Sequence, residues 1–279
     1  MWTWVVGGLL LWLLLALAVG LVLGRGIRIA DVTGERTLTT VVAPGARSRT
    51  ARRRVPLPPV GVGLAATAVL LETAGYVARL TGATGQVARA LSMDAPWSAP
   101  RTFVAALFAA AGVAAVAGAA RVPGRRTWWL AVGLVCAGVA VVKAGGTVHV
   151  EVMASLETAV GPAGAVVFAV VVAAGVLAVL SFLSRAERRD RRRVLTGLGA
   201  YAVASVGLSA VSVVAAGRWA GTATYLEESG EALAGVAVLV AVLVGVAPRL
   251  VLPASWVLRR EEDAAELAVP EPLRRATRG

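Results

Sequence analysis

Apolar residues in this chain gather into seven runs of about twenty, and that arrangement decides which solvent the chain folds in. The runs cover approximately Trp4–Leu23, Val60–Arg79, Thr102–Ala120, Trp128–Gly146, Gly164–Leu183, Leu195–Gly217 and Ala232–Pro248. About 20 helical residues at 1.5 Å each cross a hydrocarbon layer of ~30 Å, the seventh run being at the short limit. Hydrophobic residues make up 58% of the 279 positions, with a mean hydropathy of +0.76. That exceeds the ~45–50% typical of soluble domains, and the excess lies in the runs. The expected fold is all-α: a polytopic integral membrane bundle of seven transmembrane helices. It forms one domain over residues 1–258, followed by a charged tail, 259–279, that is expected to lack stable structure. The first run has no basic leader and no small-residue cleavage site, so it reads as a retained span rather than a signal peptide.

The formal net charge of +12 raises nucleic acid as a partner, but the distribution of the arginines argues for membrane topology instead. The segment 24–58 carries eight arginines against Asp31 and Glu35. Arg121, Arg125 and Arg126 follow the third run, and six arginines between Arg185 and Arg193 follow the fifth. Arg249, Arg259 and Arg260 follow the seventh. The alternate connections are poorer in arginine and hold Asp94, Glu151, Glu157, Glu227, Glu228 and Glu231. This alternation predicts an outside N-terminus and a cytoplasmic C-terminus. Arg52, Arg53 and Arg54, with Arg188 and Arg189, are candidates for contact with anionic lipid on that side. Trp97, Trp128, Trp129, Trp219 and Trp256 flank runs as an interfacial aromatic belt would. The basic residues are 27 Arg and one Lys, in a chain rich in Ala, Val and Gly. That composition suggests a bacterial plasma membrane as the location.

Several chemistries are excluded by composition. One cysteine, Cys136, and one histidine, His149, leave no intrachain disulfide and no multi-His or Cys-based metal site, so neither metal nor cofactor is expected. Retinal proteins need a lysine in the seventh helix, and the seventh run has none. A ceramidase-like zinc hydrolase needs several histidines. A rhomboid-like protease needs a histidine on a helix after its Gly-x-Ser-Gly serine, but Gly207-Leu208-Ser209-Ala210 follows His149. No phosphate-binding loop or dinucleotide fingerprint occurs. Leu71-Glu72-Thr73-Ala74 recurs as Leu156-Glu157-Thr158-Ala159, too short a match in this composition to establish a repeat.

Charge inside a bilayer is expensive and marks bundle interiors, partners or ion paths. Glu72 in the second run and Lys143 in the fourth fall at similar depth toward the outer side, close enough in level for a direct ion pair or a proton site. A structural pair, or snorkelling to the interface, is the plainer reading. His149, Met153 and Glu157 share one face if their segment is helical, with Glu151 nearby. Glu227, Glu228 and Glu231 read as acidic caps of the seventh helix, or with His149, Glu151 and Glu157 as an outer cation patch. Tyr201, Ser205, Ser209 and Ser212 form a polar stripe suited to helix packing, and Pro162 marks a kink or helix start. Activity is undetermined at this level. Transport or channel-like movement of a small ion or solute is expected first, and a non-transporting sensor, scaffold or accessory subunit second.

Overall fold

The computed structural model describes residues 58–121, 123–184, 188–208 and 219–252, and among them the chain is all-helical. The helices are α1 (Pro59–Leu80), α2 (Ala99–Arg121), α3 (Arg126–Lys143), α4 (Thr147–Leu183), α5 (Arg188–Ala202) and α6 (Ala220–Val246), with a short helix at Gln86–Ala90 between α1 and α2. Five described helices are long and apolar enough to cross a membrane: α1, α2, α3, α4 from Val150 onward, and α6. Helices are the expected solution, because hydrocarbon offers backbone amides no partners and a helix satisfies them internally.

Local sequence sets several boundaries. Pro59 opens α1 at its first turn, where a missing N–H costs nothing, and Thr81 closes it by donating its hydroxyl to the Val77 carbonyl at 2.9 Å. Gly145, at φ 107°, turns the chain after α3. In α4, Gly161 adopts φ 76°, ψ 167° and breaks the helix directly before Pro162. The expected kink is therefore present. The part after it, Pro162 to Leu183, is about 33 Å long at 1.5 Å per residue, one bilayer thickness.

The ends of the expected segments shift in two places. The seventh run was expected to begin at Ala232, but α6 begins at Ala220, about three turns earlier. The carboxyls at 227, 228 and 231 lower the local hydropathy enough to hide a continuous helix, and they lie in its body rather than at its N-terminus. The sixth run was expected from Leu195. Its helix, α5, starts at Arg188 and passes into a π-helical turn at Val203–Leu208. The first run, the segment holding Arg52, Arg53 and Arg54, Ser209, Ser212, Trp256 and the tail lie outside the described residues.

Helix directions follow from which residues meet. Tyr76 bonds Thr222, Thr73 bonds Tyr225, and Gly61 faces Val240, so α1 and α6 are antiparallel. Gly235 faces Phe108 and Gly118 faces Val246, so α2 and α6 are parallel. Gly112 faces Cys136 and Ala137 while Gly133 faces Ala115 and Val116, so α2 and α3 are antiparallel. Asp190 lies against Gly245 and Ala204 against Gly230, so α5 and α6 are antiparallel. The relative senses of α1, α2, α3, α5 and α6 are those the order of the apolar runs predicts, although α5 is not among the five helices apolar enough to cross a membrane. They also gather Arg121, Arg125, Asp190 and Arg249 at one end, here the arginine end, and Glu72, Lys143, Glu228 and Glu231 toward the other, here the acidic end.

α6 is the central element, packed by α1, α2 and α5. Close approach depends on missing side chains: a methyl on Gly118 would overlap Val246, and one on Gly245 would overlap the Trp129 ring. Val104, Phe108, Ala111, Val132, Cys136, Val238 and Val242 form the core. Trp128 and Trp129 are buried in it, so these two are packing residues rather than the belt the sequence suggested, whereas Trp97 and Trp219 are exposed. α4 stands at the edge, with only 6% of its most apolar stretch buried.

Candidate functional site: a buried carboxyl–lysine cluster

Toward the acidic end, four charged side chains from three helices turn inward. Glu72 comes from α1, Lys143 from the last turn of α3, and Glu228 and Glu231 from α6. All are buried, Glu72 at 1% exposure and Lys143 at 5%. The three-residue spacing of Glu228 and Glu231 puts both on one face of α6, so one ammonium can reach both. Lys143 Nζ donates to Glu228 Oε2 at 2.9 Å and pairs with Glu231.

Glu72 shares this neighbourhood with Glu228, Glu231, Lys143 and Arg101, but among the described residues the ion pairs of Lys143 go to the two α6 carboxyls. The direct Glu72–Lys143 pair expected from matched depth is therefore replaced by a wider cluster. Glu72 Oε2 is buried and receives no hydrogen bond. The hydroxyls of Tyr201 and Ser205 lie beside Glu231 from α5 and its π turn, and the Tyr201 ring meets Phe108 edge-on at 4.7 Å. Arg101 borders the cluster, its Nε 3.5 Å from the Lys143 carbonyl oxygen.

Nearer the acidic end the α1–α6 contact becomes a ladder of hydroxyls and rings. Thr73 and Tyr225 share a hydrogen bond of 2.9 Å, as do Tyr76 and Thr222, and the two tyrosine rings stack with centroids 4.6 Å apart. Met93, from the connection between α1 and α2, is 1% exposed and packs against Tyr76 and Tyr225. This layer lies beside the cluster.

The carboxyls of the expected outer patch fall in different settings. Glu151 and Glu157 are exposed on the first part of α4, beside a shallow pocket at Glu151, Ser155 and Leu156, while Glu228 and Glu231 are committed to Lys143. Glu227 is half-buried on α6, and the His149 side chain is outside the described residues. Among the described residues no three His, Cys, Asp or Glu side chains form a metal-binding group. Arg188 and Arg189 open α5 at the arginine end.

Sequence reasoning named all four cluster residues but read Glu228 and Glu231 as a helix cap or as part of an outer cation patch. The signal that could have placed them was the spacing of Thr222, Tyr225, Glu228 and Glu231, a three-residue polar stripe leading straight into an apolar run.

Among the described residues, the all-helical fold and five apolar helices of spanning length mark a membrane-associated, multi-pass protein. Comparison with family models, curated proteins and solved structures found no match to the chain.

Proposed function

We propose that this protein moves a small ion or solute across a bacterial plasma membrane, with the Glu72–Lys143–Glu228–Glu231 cluster on the path. In this reading it spans the bilayer seven times, the arginine end facing the cytoplasm and the acidic end facing outward. The observation that carries the proposal is the cluster itself: three carboxyls and one ammonium, buried between three helices. Burying an ion pair against hydrophobic alternatives gains a bundle little stability, so retention of an unbalanced set favours a role in handling charge. The test is flux in proteoliposomes, read with pH- and potential-sensitive dyes. Glu72→Gln and Lys143→Ala are expected to abolish it, and flux unchanged in both variants would remove the proposal.

A second reading is supported by α4, which leaves Val167, Val171 and Phe182 about 60% exposed. Lipid contact accounts for an apolar face, but a span so lightly packed by its own bundle suits an accessory or scaffold subunit whose remaining helix contacts come from a neighbour. Recovery of one stoichiometric partner by crosslinking in native membranes, together with absent flux, would favour it.

A further inference from the structure

We infer that Glu72 is a proton-binding site of the bundle, exchanging with water at the acidic end past Met93. The inference rests on the proposed membrane role and names the ion and its carrier.

The first argument is charge balance. The one ammonium, Lys143, is already shared by Glu228 and Glu231. Glu72 adds a third carboxyl whose Oε2 accepts nothing, in a place from which water is excluded. An ionised carboxylate needs donors on its lone pairs, and a protonated one can leave an oxygen bare at far lower cost. A proton on Glu72 thus removes charge where the structure supplies no donor. A metal ion fits less well, because Lys143 already fills the cationic position between the α6 carboxyls and no metal-binding group forms among the described residues.

The second argument is access. Gly75 lies one turn beyond Glu72 on the same face of α1. It has no side chain to give, because the Leu91 carbonyl and Met93 press on it. A cleft lined by Gly75, Arg79, Ser92, Met93 and Asp94 opens on the surface above. Met93 lines that cleft and packs on Tyr76 and Tyr225, the layer next to the cluster. The segment that carries it leaves α1 through Gly82 and Gly85, both at positive φ, and is tied back by Arg79 and Asp94 at 3.4 Å, both exposed. The charged and titratable groups around Glu72 are Glu228, Glu231 and Tyr225 on α6, Lys143 on α3, Arg101 on α2 and Tyr76 on α1 itself.

The experiment is labelling of the liposome-reconstituted chain with dicyclohexylcarbodiimide, which reacts with protonated carboxyls in apolar surroundings, followed by mass spectrometry of its peptides. The adduct is expected on Glu72, with little on Glu228 or Glu231. Its rate should fall about tenfold per pH unit once the carboxyl ionises. Met93→Gly or Met93→Ala should raise the rate several-fold without moving the adduct. Adducts on Glu228 or Glu231 with Glu72 unmodified would overturn the assignment, as would a Glu72 rate indifferent to pH. Protection by sodium or magnesium at constant pH would make it a metal site instead. Labelling at Glu72 in a protein that shows no flux would leave this inference standing and defeat the transport proposal.

Discussion

The two ends of the bundle both carry ion pairs between helices, and they solve the same electrostatic problem in opposite ways. At the arginine end Arg125 reaches Asp190 at 3.0 Å, and the guanidinium side chain keeps 35% of its surface exposed while Asp190 keeps 6%. The buried carboxylate there meets a cation that still touches its surroundings. At the acidic end both members of the two Lys143 pairs are buried, acid is in surplus within that cluster, and the layer of Met93, Tyr76 and Tyr225 lies beside it. Both sets of charges close a helix–helix contact. Among the described residues only the acidic set is held under packed side chains, with Arg101 as the next nearest cation. An end built purely for topology resembles the first; an end that must hold a charge resembles the second.

The contrast predicts its own breaking points. Lys143→Met leaves two buried carboxyls facing each other and should destabilise the bundle by about 3–5 kcal/mol, as loss of one partner of a buried pair does. Unfolding in detergent would measure it, and the Lys143→Met/Glu228→Gln/Glu231→Gln variant should recover much of the loss because no charge is then stranded. A triple variant as unstable as the single one would mean that the cluster is not organised by its lysine. Asp190→Ala at the other end should cost less, about 1–3 kcal/mol, because the guanidinium it releases remains partly solvated. Equal costs at the two ends would erase the distinction. The smallest effect belongs to the uncharged ladder: Tyr225→Phe removes one hydroxyl bond to Thr73 and should cost about 0.6–1.7 kcal/mol, with a coupling to Thr73→Val visible in a double-mutant cycle.

Much of the fold was legible because lipid imposes a strong rule on sequence. The runs at Val60–Arg79 and Thr102–Ala120 match α1 (Pro59–Leu80) and α2 (Ala99–Arg121) within a few residues, since Glu72 is the only charge in the interior of the first and no charge falls inside the second. Pro162 announced the break in α4 through the backbone constraint it carries. The seventh segment was truncated because hydropathy averages over all faces of a helix, whereas Glu228 and Glu231 occupy only one. Trp128 and Trp129 were assigned to the interface for a similar reason: position in a run does not say which way a ring points.

By itself the sequence determined the helical class, the long apolar stretches that suit a membrane, and the fact that Glu72 and Lys143 sit within such stretches. These follow from local composition and spacing, which need no knowledge of neighbours. Only the tertiary structure decided that Lys143 is taken by Glu228 and Glu231, that Glu72 is left beside them with a bare oxygen, and that Met93 packs in the layer next to the group. Those outcomes depend on rotation of each helix about its axis and on the close approaches allowed by Gly75, Gly118 and Gly245, so they belong to packing between segments far apart in the chain.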